Sequence, residues 1–178
     1  MNRKSLAILE YDKIKHKLFQ HATTEMGKRQ VKRLSPNTDL DEIQVKLLQT
    51  KDGADILRLK GGVPIPQLTL ITDHLKRLEI GATLNGKELA EISQVLRSAN
   101  EVHRFFTALA DEKVELNYLY ELEEQLETLP QLAKRLQVSL EADGYVTDDA
   151  SSLLRSLRRQ ISTTEATIRN RLVALTRG

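Results

Sequence analysis

Apolar residues recur along this chain at intervals of three and four, and proline and glycine cut that pattern into separate helices. Ile14 and Leu18 share one face of a helix over 12–20. Thr23 or Thr24 caps a second, which runs to about Leu34. Ser35-Pro36-Asn37-Thr38 forms a turn, and Asp39 is the next N-cap with Glu42 as its capping-box partner. In the long helix that follows, Leu40, Ile43, Leu47, Thr50, Ala54 and Leu57 make a narrow seam suited to one partner helix, and Gly61-Gly62 ends it. Residues 63–69 form a loop with Pro64 and Pro66. A short helix over 73–79 stops at Gly81. Asn85 caps a second long helix through about Asp111, in which Leu89, Ile92, Val95, Leu96, Ala99, Val102, Phe106 and Leu109 form a face broad enough for a bundle core. A helix over 118–129 uses Leu119, Leu122 and Leu126. Pro130 opens another with Leu132, Leu136 and Leu140.

Asp143-Gly144 is a tight-turn dipeptide, and Tyr145-Val146 forms a brief extended segment. Thr147 or Asp148 caps the last helix, whose stripe is Leu154, Leu157, Ile161, Thr164, Ile168, Leu172 and Leu175. At ~1.5 Å per residue, some ~30 residues give a rod of ~45 Å. The stripe follows a spacing of about 3.5 residues and therefore needs a mating helix. The expected fold is all-α, a helical bundle running into a coiled-coil-type helix, with 1–146 as core and 147–178 as the start of a long lever. The mate is expected from a second chain or, as the favoured reading, from residues beyond this chain.

Composition agrees with that fold. Aromatics are 4% of the 178 residues and tryptophan is absent, so a core must come from Leu, Ile, Val and Ala. The absence of cysteine excludes disulfides, thiol catalysis and Cys-based zinc sites. No secretory h-region or membrane span is visible, and the cytoplasm is the expected compartment. Net charge is +2, unevenly spread. Residues 1–36 carry nine Lys/Arg against three acids, 37–146 twelve against nineteen, and 147–178 six against three. The basic ends are able to meet an anionic partner.

Sequence motifs supply no catalytic, cofactor or metal site. Gly81-Ala82-Thr83-Leu84-Asn85-Gly86-Lys87-Glu88 fits a phosphate loop until its last place, where Glu88 stands instead of the Ser or Thr that would hold magnesium. It also follows a helical stretch rather than a strand, so a helix-capping loop is expected. His16, His21, His74 and His103 are scattered and read as surface residues. Glu121, Glu123, Glu124 and Glu127 read as a solvated helix face. Arg155, Arg158, Arg159, Arg169 and Arg171 on the last helix are the candidate nucleic-acid contacts, because a cationic rod follows a phosphate backbone. Charged outer positions of a coiled coil are the competing explanation for them. No aromatic residue interleaves with these arginines to stack bases.

The order of several motifs resembles the second bacterial MutS family, whose members lack the mismatch-recognition domain. The matching stretches are Leu9-Glu10-Tyr11-Asp12-Lys13-Ile14, Glu25-Met26-Gly27, Leu57-Arg58-Leu59-Lys60-Gly61-Gly62 with Pro64, Ile80-Gly81, Glu88-Leu89, and Asp143 to Ser151 with Leu154, Arg158 and Ile161. Ala82 departs from a second glycine common in that family. The resemblance implies the N-terminal core and lever of a dimeric ATPase and endonuclease. It also implies ATP and Mg²⁺ in a domain outside this chain. The implied targets are branched or double-stranded DNA, in suppression of recombination, or rRNA within stalled, collided ribosomes that the protein splits. The competing class is a non-catalytic helical scaffold for protein partners.

Overall fold

The computed structural model describes residues 3–176, and its described residues are helical with no named strand. In chain order the helices are α1 (Arg3–Ile8), α2 (Tyr11–His21), α3 (Glu25–Arg33), α4 (Leu40–Lys60), α5 (Thr72–Glu79), α6 (Gly86–Asp111), α7 (Leu119–Glu124), α8 (Pro130–Ser139) and α9 (Ser152–Thr176), with a 3₁₀ turn at Asp148–Ala150. The all-α expectation holds. The broad apolar face of α6 makes it the central helix, with α7 and α8 packed against it, while α1, α2 and α3 pack on one another.

Local chemistry sets most boundaries where the sequence places them. The Thr24 side chain accepts the Gly27 N–H at 3.0 Å and starts α3. Asp39 accepts from Asp41 and Glu42 N–H at 3.0 and 3.1 Å. The reciprocal half of that capping box does not form. The Asp39 N–H donates to Asn37, and the Glu42 carboxylate bonds the Asn37 amide. Asn85 and Glu88 do form a complete capping box at the start of α6. Gly61, at φ 78°, ends α4 in the left-handed conformation that favours glycine. Where the sequence predicts a helix over 118–129, only α7 forms. Leu122 and Leu126 remain exposed, while Leu119 and Tyr120 turn inward.

The main cluster joins Ile56 of α4 to Phe106 and Leu109 of α6, with Val63, Val102, Phe105, Val114 and Tyr120 around it. Phe105 and Phe106 meet edge to face at 5.6 Å, as do Phe106 and Tyr120 at 6.0 Å. The Tyr120 hydroxyl donates to the Val114 carbonyl at 2.8 Å, and burial pushes its pKa above the ordinary tyrosine value.

The face that α4 buries is not the expected seam. Leu40, Leu47 and Leu57 are 66%, 63% and 62% exposed, whereas Asp52 and Ile56 are fully buried. The Asp52 carboxylate decides this rotation. It accepts the Asn117 N–H at 2.9 Å, the Asn117 side-chain amide at 2.6 Å, the Tyr118 N–H at 2.8 Å and the Leu119 N–H at 3.2 Å. These amides open α7, where the chain has no intrahelical acceptor for them. Burial alone pushes the Asp52 carboxyl upward. The backbone and side-chain donors outweigh it and hold the group below the usual aspartate range.

Gly53, beside Asp52, faces open space, with nothing within 4 Å of a Cβ built there. Gly53→Ala is therefore expected to stabilise the protein by about 0.5–1 kcal/mol through helix propensity and a less disordered unfolded chain. Urea unfolding measures it, and destabilisation would contradict an open α4 surface at this position.

Candidate nucleic-acid interface

The last helix, α9, begins on a built platform. After α8, the chain turns through Asp143-Gly144 and returns as a single antiparallel bridge between Leu140 and Val146. Glu141 N–H donates to the Tyr145 carbonyl at 2.8 Å, and Thr147 N–H donates to the Ser139 carbonyl at 2.9 Å. The expected extended segment at Tyr145-Val146 is thus one bridge long. The turn presses on the start of α6. A Cβ on Gly86 would lie 2.1 Å from the Gly144 carbonyl oxygen, and one on Gly144 would lie 2.3 Å from the Lys87 nitrogen. Only glycine at both places allows that approach.

The cap of α9 is neither Thr147 nor Asp148. Those residues enter the 3₁₀ turn, and the Ser151 hydroxyl accepts the Leu154 N–H at 3.0 Å. Asp148 and Asp149 act differently. Asp148 pairs with Arg158 at 2.6 Å, and Asp149 pairs with Arg155. The Arg158 guanidinium also stacks over the Tyr145 ring at 4.6 Å. Two of the five candidate arginines therefore fasten α9 to the platform, and local carboxylates offset their charge. Acids six and ten residues upstream of these arginines were the available sequence signal, read instead as capping candidates.

Beyond Arg158 every described residue of α9 is exposed, including Ile161, Ile168 and Leu172 at 54–58%, and Leu157 just before it is 47% exposed. Arg159, Arg169 and Arg171 make no ion pair with a described residue, and Glu165 is the sole acid on the helix. At about 100° per residue, Arg155, Arg158, Arg159 and Arg169 share roughly a third of the circumference. Arg171 lies across the apolar stripe from them. The arginines thus flank the stripe and do not form one continuous face.

The remaining motifs resolve into structural contacts. The loop over 81–88 follows α5, a helix, and its Glu88 caps α6 and pairs with Arg77. Acceptance of the Asn85 backbone N–H is the first cause holding the Glu88 carboxyl below its usual range, and the Arg77 charge adds to it. A carboxylate so placed does not fit a nucleotide phosphate or its magnesium. Two histidines contact carboxylates: His74 is half-buried, while His103 is exposed as expected. His74 Nε2 lies 2.7 Å from Glu91 and His103 Nδ1 lies 2.5 Å from Glu123, which is largely covered despite belonging to the expected solvated face. Among the described residues no group of three His, Asp or Glu could hold a metal, and no helix is long and apolar enough to cross a membrane.

Fold and site together define an all-α module from which one long helix projects on a fixed base. No protein-family model matches the chain. All 178 residues align with proteins named endonuclease MutS2: 59% identical in Ligilactobacillus salivarius, 51% in Latilactobacillus sakei and 44% in Enterococcus faecalis. The chain spans 23% of the length of each of these relatives. Over its whole length the chain is thus similar to one part of proteins named endonuclease MutS2.

Proposed function

We propose that this chain is the core and lever region of a MutS2-type ATPase and endonuclease, relaying motion between a nucleotide-driven motor and a clamp that grips nucleic acid. The match of all 178 residues to MutS2 proteins carries the reading. The fixed base and exposed stripe of α9 support it mechanically. A helix fastened at one end by Arg155 and Arg158 transmits rotation as a rigid rod, and its stripe receives a returning helix. In this reading ATP and Mg²⁺ act in a domain outside this chain, the working form is a homodimer, and the target is branched DNA or ribosomal RNA. Arg159, Arg169 and Arg171 are the α9 residues left to approach phosphate.

The test is co-sedimentation of the longer protein carrying this chain with collided ribosomes at physiological salt. Non-hydrolysable ATP is present, and branched DNA serves as competitor. Retention on ribosomes despite the DNA assigns the lever to ribosome splitting. Transfer to the DNA assigns it to suppression of recombination. Binding to neither would reject the reading in favour of a protein-interaction scaffold.

A further inference from the structure

A second cationic surface lies away from α9. Where α6 and α8 pack, a groove of about 650 Å³ runs between them, lined by Arg97, Asn100, His103 and Arg104 from α6 and by Lys134 and Gln137 from α8. No Asp or Glu lines it, although residues 37–146 carry an excess of acids. The nearby carboxylates are weakly placed or already engaged. Glu101 reaches Arg97 only at 4.0 Å, and Glu123 is held by His103 at 2.5 Å. Arg104 and Lys134 make no ion pair with a described residue, and Arg97, Arg104 and Lys134 are exposed.

The spacing selects the ligand. Arg97 and Arg104 are two helical turns apart, about 10 Å along the axis. That is too wide for one phosphate to bridge. Successive phosphates of a nucleic-acid strand, one per ~3.4 Å of axial rise in a duplex, place two or more charges within the same distance. Asn100 and Gln137 offer amide donors to phosphate oxygens. No Phe, Tyr or Trp lines the groove to stack a base, and the His103 ring is engaged with Glu123. We infer that the α6–α8 groove binds the phosphate backbone of a nucleic-acid strand without base selectivity. The inference rests on the nucleic-acid partnership proposed above and gives it a contact surface separate from the lever.

Fluorescence anisotropy of a short labelled RNA strand with the 178-residue chain tests it, over a salt titration. Combined Arg97→Gln, Arg104→Gln and Lys134→Gln is expected to weaken binding about tenfold or more, and to lower the salt slope by about two, as the loss of three phosphate contacts to a single strand requires. Arg104→Lys, which keeps the charge, is expected to bind as the unmodified chain does. Unchanged helical circular dichroism shows that the exposed substitutions leave the fold intact. Undiminished binding by the triple variant, with loss confined to Arg159→Gln, Arg169→Gln and Arg171→Gln, would overturn the inference. Tighter groove-dependent binding of polyglutamate than of RNA would also overturn it, in favour of an acidic protein partner. The two proposals fail separately. A longer protein that ignores ribosomes and DNA, while this chain still binds RNA through the groove, rejects the motor-and-clamp role alone.

Discussion

Asp52→Ala is expected to destabilise the protein by about 3–4 kcal/mol, because it strands three buried or half-buried backbone amides that have this carboxylate as their acceptor. That is a large share of the ~5–15 kcal/mol that typically holds a domain folded. Asp52→Asn is expected to lose nearly as much. Its amide retains one acceptor oxygen but turns an N–H₂ group toward donors. The carboxyl is held below its ordinary value in the folded state, against about 3.9 when unfolded. Its contribution is therefore full above about pH 4 and is lost as pH falls through the folded-state pKa. Urea unfolding between pH 7 and pH 3 reads both effects. The unmodified protein should lose stability over that range by more than Asp52→Asn does. Parallel pH profiles, or an Asp52→Ala loss within about 0.5 kcal/mol of zero, would mean that α4 is not anchored through this group.

Gly144→Ala carries the second large effect. Its φ of 89° disfavours any side chain, and its Cβ would meet the Lys87 nitrogen at 2.3 Å and the Gly86 carbonyl carbon at 2.5 Å. Backbone on both sides leaves no flexible atom to move aside. Overpacking and left-handed strain together are expected to cost about 3 kcal/mol. The damage should be local, because the turn would lift from the start of α6. The Glu141 and Thr147 amides, which donate within this platform, should then exchange with solvent much faster, while amides around Leu109 stay protected. Under the lever reading, the same substitution uncouples α9 from the core. Native protection at Glu141 and Thr147 would show that the glycine pair does not fix the base of α9.

Much of the fold was legible because helix punctuation is short-range. Asn85, Asp39, Thr24, Gly61 and Pro130 act on amides or carbonyls within a few residues, and each sits at a helix end as its type predicts. The complete capping box at Asn85 and Glu88 also explains why the phosphate-loop pattern carries no nucleotide chemistry. The candidate interface was half legible. Arginine enrichment on α9 is plain in the sequence, but that Arg155 and Arg158 are held by Asp149 and Asp148 depends on how the 3₁₀ turn folds back toward the helix. The α6–α8 groove was invisible, since Arg97 and Lys134 become neighbours only when two helices pack.

The sequence by itself determined the helical class, most helix boundaries, the broad face of α6 and the stripe of α9, all of which follow from periodicity and capping over a few residues. Tertiary structure alone decided which side of α4 is buried. Spacing favoured the Leu40, Leu47 and Leu57 seam. The observed face belongs to Ile56 and to a buried carboxylate whose donors lie 65–67 residues away. An apolar stripe records only that a face could be covered. What covers it depends on partners distant in the chain, and for Asp52 unsatisfied amides at the start of α7 outweighed the exposure of three leucines.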